Sequence, residues 1–220
     1  HQQNNLEIAE NLYNKILKIE PNHLATLNNL GTLFIALGKY QKAKECYERV
    51  IKISPNNADI HSNLGSAFKK LEEYEKAINS YEKAIQINPR YASAYHNLGI
   101  VYQELHEHQK AIGYFKKAIE INPRHASWYF NIGLAFDNLG DKKNAENYYQ
   151  NVIEIDENYI EAYNNLGTII LSKSDAVQKE LDANAMNFKK YDQIKEAKLL
   201  PIYREALPIF EKAYEFSPSK

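Results

Sequence analysis

The chain has 220 residues, 44% of them hydrophobic, and its 27 Lys and Arg stand against 28 Asp and Glu for a net charge of -1. A balance this close leaves no basic face for phosphate and argues against nucleic acid as a partner. No apolar run approaches the length of a membrane span or a secretory core segment, so membrane insertion is not expected either.

The first 23 residues carry Ala9, Tyr13, Ile16 and Pro21. The same order returns every 34 residues as Ala43, Tyr47, Val50 and Pro55, then Ala77, Tyr81, Ala84 and Pro89, then Ala111, Phe115, Ala118 and Pro123. A last full round has Ala145, Tyr149, Val152 and Glu157 in the proline's place. Between these rounds a second signature keeps the same beat: Asn29-Leu30-Gly31, Asn63-Leu64-Gly65, Asn97-Leu98-Gly99, Asn131-Ile132-Gly133 and Asn165-Leu166-Gly167. A fixed period in this range is the mark of stacked repeats.

Apolar residues at three and four spacing, for instance Leu27, Leu30, Phe34 and Leu37 and then Ala43, Tyr47, Val50 and Ile51, predict two amphipathic helices per repeat. The recurrent Gly allows the two to approach closely, and Pro55, Pro89 and Pro123 end the second helix. Full repeats span 24–57, 58–91, 92–125 and 126–159. Residues 1–23 hold only a second helix, with His1 near the end of a first helix that is otherwise missing. The apolar face of that second helix is expected to be partly exposed, and the sequence reads as a piece with further repeats ahead of it.

The last unit, 160–220, begins normally at Tyr163, Leu166, Gly167 and Ile170, but the matching Ala206, Phe210, Ala213 and Pro218 arrive 27 residues late. The insertion, about 172–200, keeps helical spacing through Val177, Leu181, Ala185, Phe188, Tyr191 and Ile194 and lacks glycine. Both helices are predicted to run on into a longer hairpin turning near Asn184 to Asn187, with Pro201 and Pro208 kinking the returning limb. Two readings stand for it: a cap or partner-docking arm, or a mobile lysine-rich excursion.

In these positions the chain resembles the tetratricopeptide repeat family. The resemblance implies an all-α fold, a right-handed superhelical α-solenoid of helix-turn-helix repeats, and non-enzymatic binding of a protein or peptide in a concave groove lined by first helices. Its groove positions here include Asn28, Ser62, His96, Phe130 and Asn164, and Thr32, Ser66, Ile100, Leu134 and Thr168, with Asn29, Asn63, Asn97, Asn131 and Asn165 on the same side. A carboxamide donates and accepts, so a row of Asn can pair with an extended peptide backbone without reading its side chains. The row is similar to the asparagine ladder in the repeat domain of O-linked N-acetylglucosamine transferase, although Asn is also common here in ordinary members. Ile100, Phe130 and Leu134 are read as an apolar anchor for a partner or as lining that packs on neighbouring helices. The resemblance also leaves open a substrate-recruiting module of a larger glycosyltransferase or sulfotransferase, and self-association.

Co-chaperones of the family clamp acidic peptide tails with groove Lys and Arg. No groove position named above is Lys or Arg, although Lys69 and Lys70 lie nearby, so that role is not expected. His106 and His108 read as a solvated turn, Trp128 as repeat packing and the single Cys46 as a small packed residue. No catalytic residue, metal or cofactor is expected.

Overall fold

A computed structural model describes residues 2–216, so His1 and Pro218 lie outside the described residues. The described residues form two compact units, divided after Pro123.

The first unit contains α1 (Gln2–Ile19), α2 (Leu24–Ala36), α3 (Tyr40–Ile53), α4 (Ala58–Lys70), α5 (Tyr74–Ile87), α6 (Ala92–Glu104) and α7 (His108–Ile121). Helices α2/α3, α4/α5 and α6/α7 are hairpins, and α3 also packs on α4 and α5 on α6. Each hairpin is locked at its glycine. A Cβ on Gly31 would lie 2.6 Å from the Tyr47 ring, on Gly65 2.8 Å from Tyr81 and on Gly99 2.6 Å from Phe115. Ala43, Ala77 and Ala111 are fully buried beside these rings, which are themselves no more than 1% exposed.

The turns within the hairpins share one geometry. The residue after the first helix's C-cap has positive φ, at Gly38 (69°), Glu72 (60°) and His106 (59°). The following amide then donates to a carbonyl of the first helix, as Lys39 N does to Phe34 O at 2.8 Å and Glu73 N to Phe68 O at 3.0 Å. A side chain in this left-handed region is disfavoured. Glu72→Gly is therefore expected to stabilise the chain by up to about 1 kcal/mol, read as a higher urea midpoint, because relief of the strain exceeds the entropy glycine loses on folding.

At the start of the chain the helix is longer than the second helices of the later hairpins. Helix α1 begins at Gln2, four residues ahead of the position where Tyr40, Tyr74 and His108 open the later second helices. No Gly or Pro interrupts Gln2 to Asn5, so the helix runs on through the register of the turn. Ile8, Leu12, Ile16 and Ile19 on α1 are 41–82% exposed.

The second unit contains α8 (Ala126–Asn138), α9 (Lys142–Ile155), α10 (Ile160–Ser172), α11 (Ser174–Ala183), α12 (Phe188–Ile194), a π-helical turn (Lys195–Leu199) and α13 (Leu200–Phe216). Helices α8 and α9 repeat the hairpin, with Gly133 against Tyr149. Helix α9 ends at Ile155 although Glu157 replaces the proline, the same register at which α3, α5 and α7 end. Its Asp156 accepts from Asn158 N at 3.1 Å, a turn that Asn88 makes with Arg90 N at 3.1 Å in the first unit. The same side-chain turn therefore forms with the proline or without it.

Helix α10 pairs with α13, and Phe210 meets Gly167 as Tyr149 meets Gly133. Between them, α11 and α12 fold about Asn184 to Asn187 and hold a small core of their own, Leu181, Ile194 and Leu199, with Val177 and Tyr191 against it. The returning limb contains a π turn directly ahead of Pro201, where Leu200 N–H donates to Lys195 O, and α13 continues across Pro208. Pro201 has no N–H and its ring crowds the carbonyl four residues back, so the wider turn relieves the clash locally. Met186 and Phe188 at the turn are 95% and 79% exposed.

Candidate peptide-binding face

In the first unit, the recurrent Asn places one carboxamide at the same register on each of α2, α4 and α6. Asn29 is exposed, and Asn63 and Asn97 are half-buried. Asn63 Nδ2 donates to Asn28 Oδ1 at 3.3 Å, joining α4 to α2. Among the described residues no hydrogen-bond partner is found for the Asn97 carboxamide.

The second helices reach this face as well. The Tyr47 hydroxyl shares a 3.2 Å hydrogen bond with Thr32 Oγ1, and the Tyr81 hydroxyl shares one of 3.0 Å with Ser66 Oγ. At the third hairpin both members change together: Ile100 replaces the hydroxyl side chain and Phe115 replaces tyrosine. His96 lies over Phe115 with ring centroids 5.5 Å apart. Face chemistry therefore shifts from hydroxylic at α2 and α4 to apolar and imidazole at α6.

Tyr91, at the N-cap of α6, makes no side-chain cap. Its hydroxyl lies near Asp59 and Ser62 of α4; burial first, and then Asp59, pushes it up to about 12. It stays a neutral phenol at physiological pH. Lys69 is half-buried and its ammonium is 4.0 Å from a Glu104 carboxylate oxygen.

In the second unit, Asn131 and Asn165 are half-buried on α8 and α10, and Asn165 Nδ2 donates to the Tyr149 hydroxyl at 3.2 Å. Phe130 and Leu134 are half-buried and pack against the core formed with α9 and α10. Phe130 also meets Tyr149 at 5.5 Å and Tyr159 at 5.0 Å between ring centroids. An open pocket of about 450 Å³ lies nearby, lined by Arg124, His125, Ser127, Ile155, Asp156 and Tyr159. Trp128 is 5% exposed and stacks on His125 at 4.2 Å. Among the described residues no three His, Cys, Asp or Glu side chains are grouped to hold a metal, and no helix is long and apolar enough to cross a membrane.

Sequence reading treats the second-helix tyrosines as packing and overlooks Tyr91 and Tyr159. A signal for the latter pair exists. Position 23 and its equivalents read His23, Asn57, Tyr91, His125 and Tyr159, and only His23 and Asn57 have side chains that cap the following helix.

Helical hairpins locked glycine on ring, with a carboxamide at one register on the first helices, define a helical-repeat scaffold. Family models for the TPR repeat match residues 31–72 and 65–106, and tetratricopeptide repeat models match 12–45 and 90–158. The chain belongs to the tetratricopeptide repeat family. Among solved structures it is similar to the crystal structure of MamA, with 33% identity and a TM-score of 0.65 over 71% of this chain and 91% of that one. A tetratricopeptide repeat protein from Parabacteroides merdae ATCC 43184 shares the fold at 22% identity and a TM-score of 0.67, over 100% and 90% of the two chains. The first TPR of Spaghetti (RPAP3), bound to HSP90 peptide SRMEEVD, is 26% identical with a TM-score of 0.50, over 51% of this chain and 90% of that one. The comparison with curated proteins gave no match.

Proposed function

We propose that this chain is a non-enzymatic protein-interaction scaffold that holds an extended peptide segment on the face of its first helices. The observation that carries the reading is the carboxamide at one register on α2, α4 and α6, accessible in each case and without a protein partner at Asn97. Such amides can pair with backbone N–H and C=O along an extended segment. The asparagine ladder of O-linked N-acetylglucosamine transferase is the similar arrangement. Ile100 and His96 beside Asn97 supply an apolar and imidazole surface for one side chain of the segment. Hairpins whose helices are locked by ring contacts need little rearrangement on binding, which lowers the entropic cost of association.

A family member bound to a peptide, as in the RPAP3 structure, supports the general mode. Its peptide, SRMEEVD, is acidic. In this chain no face position named above is Lys or Arg and Lys69 lies 4.0 Å from Glu104, so the segment held here is neutral or apolar rather than an acidic tail.

The test is peptide-array binding with the unaltered chain and an Asn29→Ala, Asn63→Ala, Asn97→Ala triple variant. Peptides selected by the unaltered chain are expected to lose at least about tenfold in affinity with the variant, from two or three hydrogen bonds of about 1 kcal/mol each. Equal affinity for a correctly folded variant overturns the backbone-pairing mechanism.

A further inference from the structure

Two second helices carry bare apolar stripes. On α1 the stripe is Ile8, Leu12, Ile16 and Ile19; on α13 it is Tyr203, Leu207 and Tyr214, 45–83% exposed. Leu207 and Tyr214 line an open groove of about 430 Å³ with Phe210 and the carboxylate side chains of Glu211 and Glu215.

Register shows which neighbour each stripe is shaped for. Tyr214 corresponds to Ile153 on α9 and to Ile85 on α5, and both of these pack into cores shared with the following first helix. Leu207 corresponds to Glu146, whose carboxylate is 3.1 Å from Lys173 at the C-cap of α10. The α13 stripe is therefore the seat that the next first helix takes in earlier repeats. On α1, Leu12 and Ile16 correspond to Cys46 and Val50 on α3 and to Ser80 and Ala84 on α5, all buried within their hairpins. This is the side that a second helix turns to its own first helix. In the stack one first helix fills the space between two such sides, so the bare side of α13 and the bare side of α1 are complementary halves of one contact. Position 8 adds to the α1 half: Ile8 stands where the later second helices carry Lys42, Lys76, Lys110 and Asn144.

The stripes also match in length and charge. Ile8, Leu12 and Ile19 have the same spacing as Tyr203, Leu207 and Tyr214, so these three pairs come level when the two helices run parallel. In that register Lys15 and Lys18 fall within two residues of Glu211 and Glu215, and Glu7 within two of Arg204. At about 100° per residue the α1 charges lie to one side of their stripe and the α13 charges to the opposite side of theirs, the flanks that parallel helices bring together. Lys15, Lys18 and Glu211 are exposed and make no salt bridge among the described residues, and Glu215 holds only the exposed Lys212 of its own helix, at 2.9 Å.

We propose that the chain associates head to tail with a second copy of itself, α1 of one copy seated parallel on α13 of the other, at a surface separate from the first-helix face. Roughly half of each stripe side chain is bare, so at about 200 Å² for a large apolar side chain the two stripes bury on the order of 800 Å² together, and the charged rim brings the contact to about the 1,200 Å² at which stable interfaces begin. A dissociation constant on the order of 10 µM is expected.

The test is sedimentation velocity of the 220-residue chain over roughly two decades of concentration around that constant. The unaltered chain should grow from monomer to dimer or larger, and a monomer throughout overturns the proposal. A Leu12→Asp, Ile16→Asp variant and a Leu207→Asp, Tyr214→Asp variant should each stay monomeric, because each lacks one half of a heterologous contact. Their equimolar mixture should regain a heterodimer through the two intact stripes. Association of either variant alone overturns the proposal, and for the α13 variant that result would assign self-association to a pairing of α1 with α1. A monomeric mixture overturns it as well. If an aspartate variant loses its helical circular dichroism, a Lys15→Glu, Lys18→Glu variant and a Glu211→Lys, Glu215→Lys variant take their place. Each alone should associate severalfold more weakly than the unaltered chain, and mixing should restore the association; failure of mixing to restore it overturns the proposal.

Discussion

Replacing Gly99 by alanine is expected to destabilise the first unit by about 2 kcal/mol, while the same change at Gly113 stabilises it by up to about 1 kcal/mol. Both glycines lie inside helices of one hairpin, so the gain in helix propensity is common to the two. The difference is what the new methyl group meets. At Gly99 a Cβ would lie 2.6 Å from Phe115 Cδ1 and Cε1, whereas at Gly113 it has nothing within 4 Å. Phe115 is fully buried and has no free space into which to withdraw. Urea denaturation of both variants checks the pair. A Gly99→Ala midpoint at or above that of the unaltered chain would show that the ring yields, and the glycine lock would lose its explanation.

Stability should also fall steeply between pH 10 and pH 12, and Tyr81 should account for much of the loss. Burial pushes its hydroxyl up from the ordinary 10 to about 12. The sign follows from linkage. The unfolded chain releases this proton near pH 10 and the folded chain keeps it until near 12, so the contribution is intact below 10 and lost as pH rises through 12. For a fully buried phenol the loss is on the order of 3 kcal/mol. Tyr149 in the second unit is pushed up to about 12 by burial as well. The measurement is the urea midpoint at pH 8, 10 and 11.5 for the unaltered chain and Tyr81→Phe. The variant gives up the hydrogen bond to Ser66, about 1 kcal/mol at neutral pH, but it removes the titrating group. Its deficit should therefore shrink or reverse at pH 11.5. Parallel loss in both proteins would assign the alkaline limb to other groups.

These two expectations concern the same contact, the ring of a second helix set against the glycine of the first. Its sequence trace is direct: glycine, then an aromatic residue sixteen positions later, as in Gly31 and Tyr47 or Gly65 and Tyr81. The insertion hides it in the last unit, where Gly167 finds Phe210 across the intervening helices. The start of the chain shows the limit of periodicity. Register places a turn near Asn4, yet Gln2 to Ile19 is one helix, since local propensity decides when no breaker is present. The prolines in the returning limb likewise mark a distortion without specifying its form, a π turn ahead of Pro201 and an unbroken helix across Pro208.

What the sequence determined by itself is the repeat. Spacing of glycine, alanine and aromatic residues is a one-dimensional record of which helix faces are buried, and burial of apolar area dominates the energy of a helical stack. The register of Asn29, Asn63 and Asn97 is written in the same record. Only the tertiary structure decided that Asn63 is bonded to Asn28 and Asn165 to Tyr149 while Asn97 has no partner among the described residues. A hydrogen bond or a void depends on distances of a few tenths of an ångström between side chains on different helices, and no period along one chain encodes those distances.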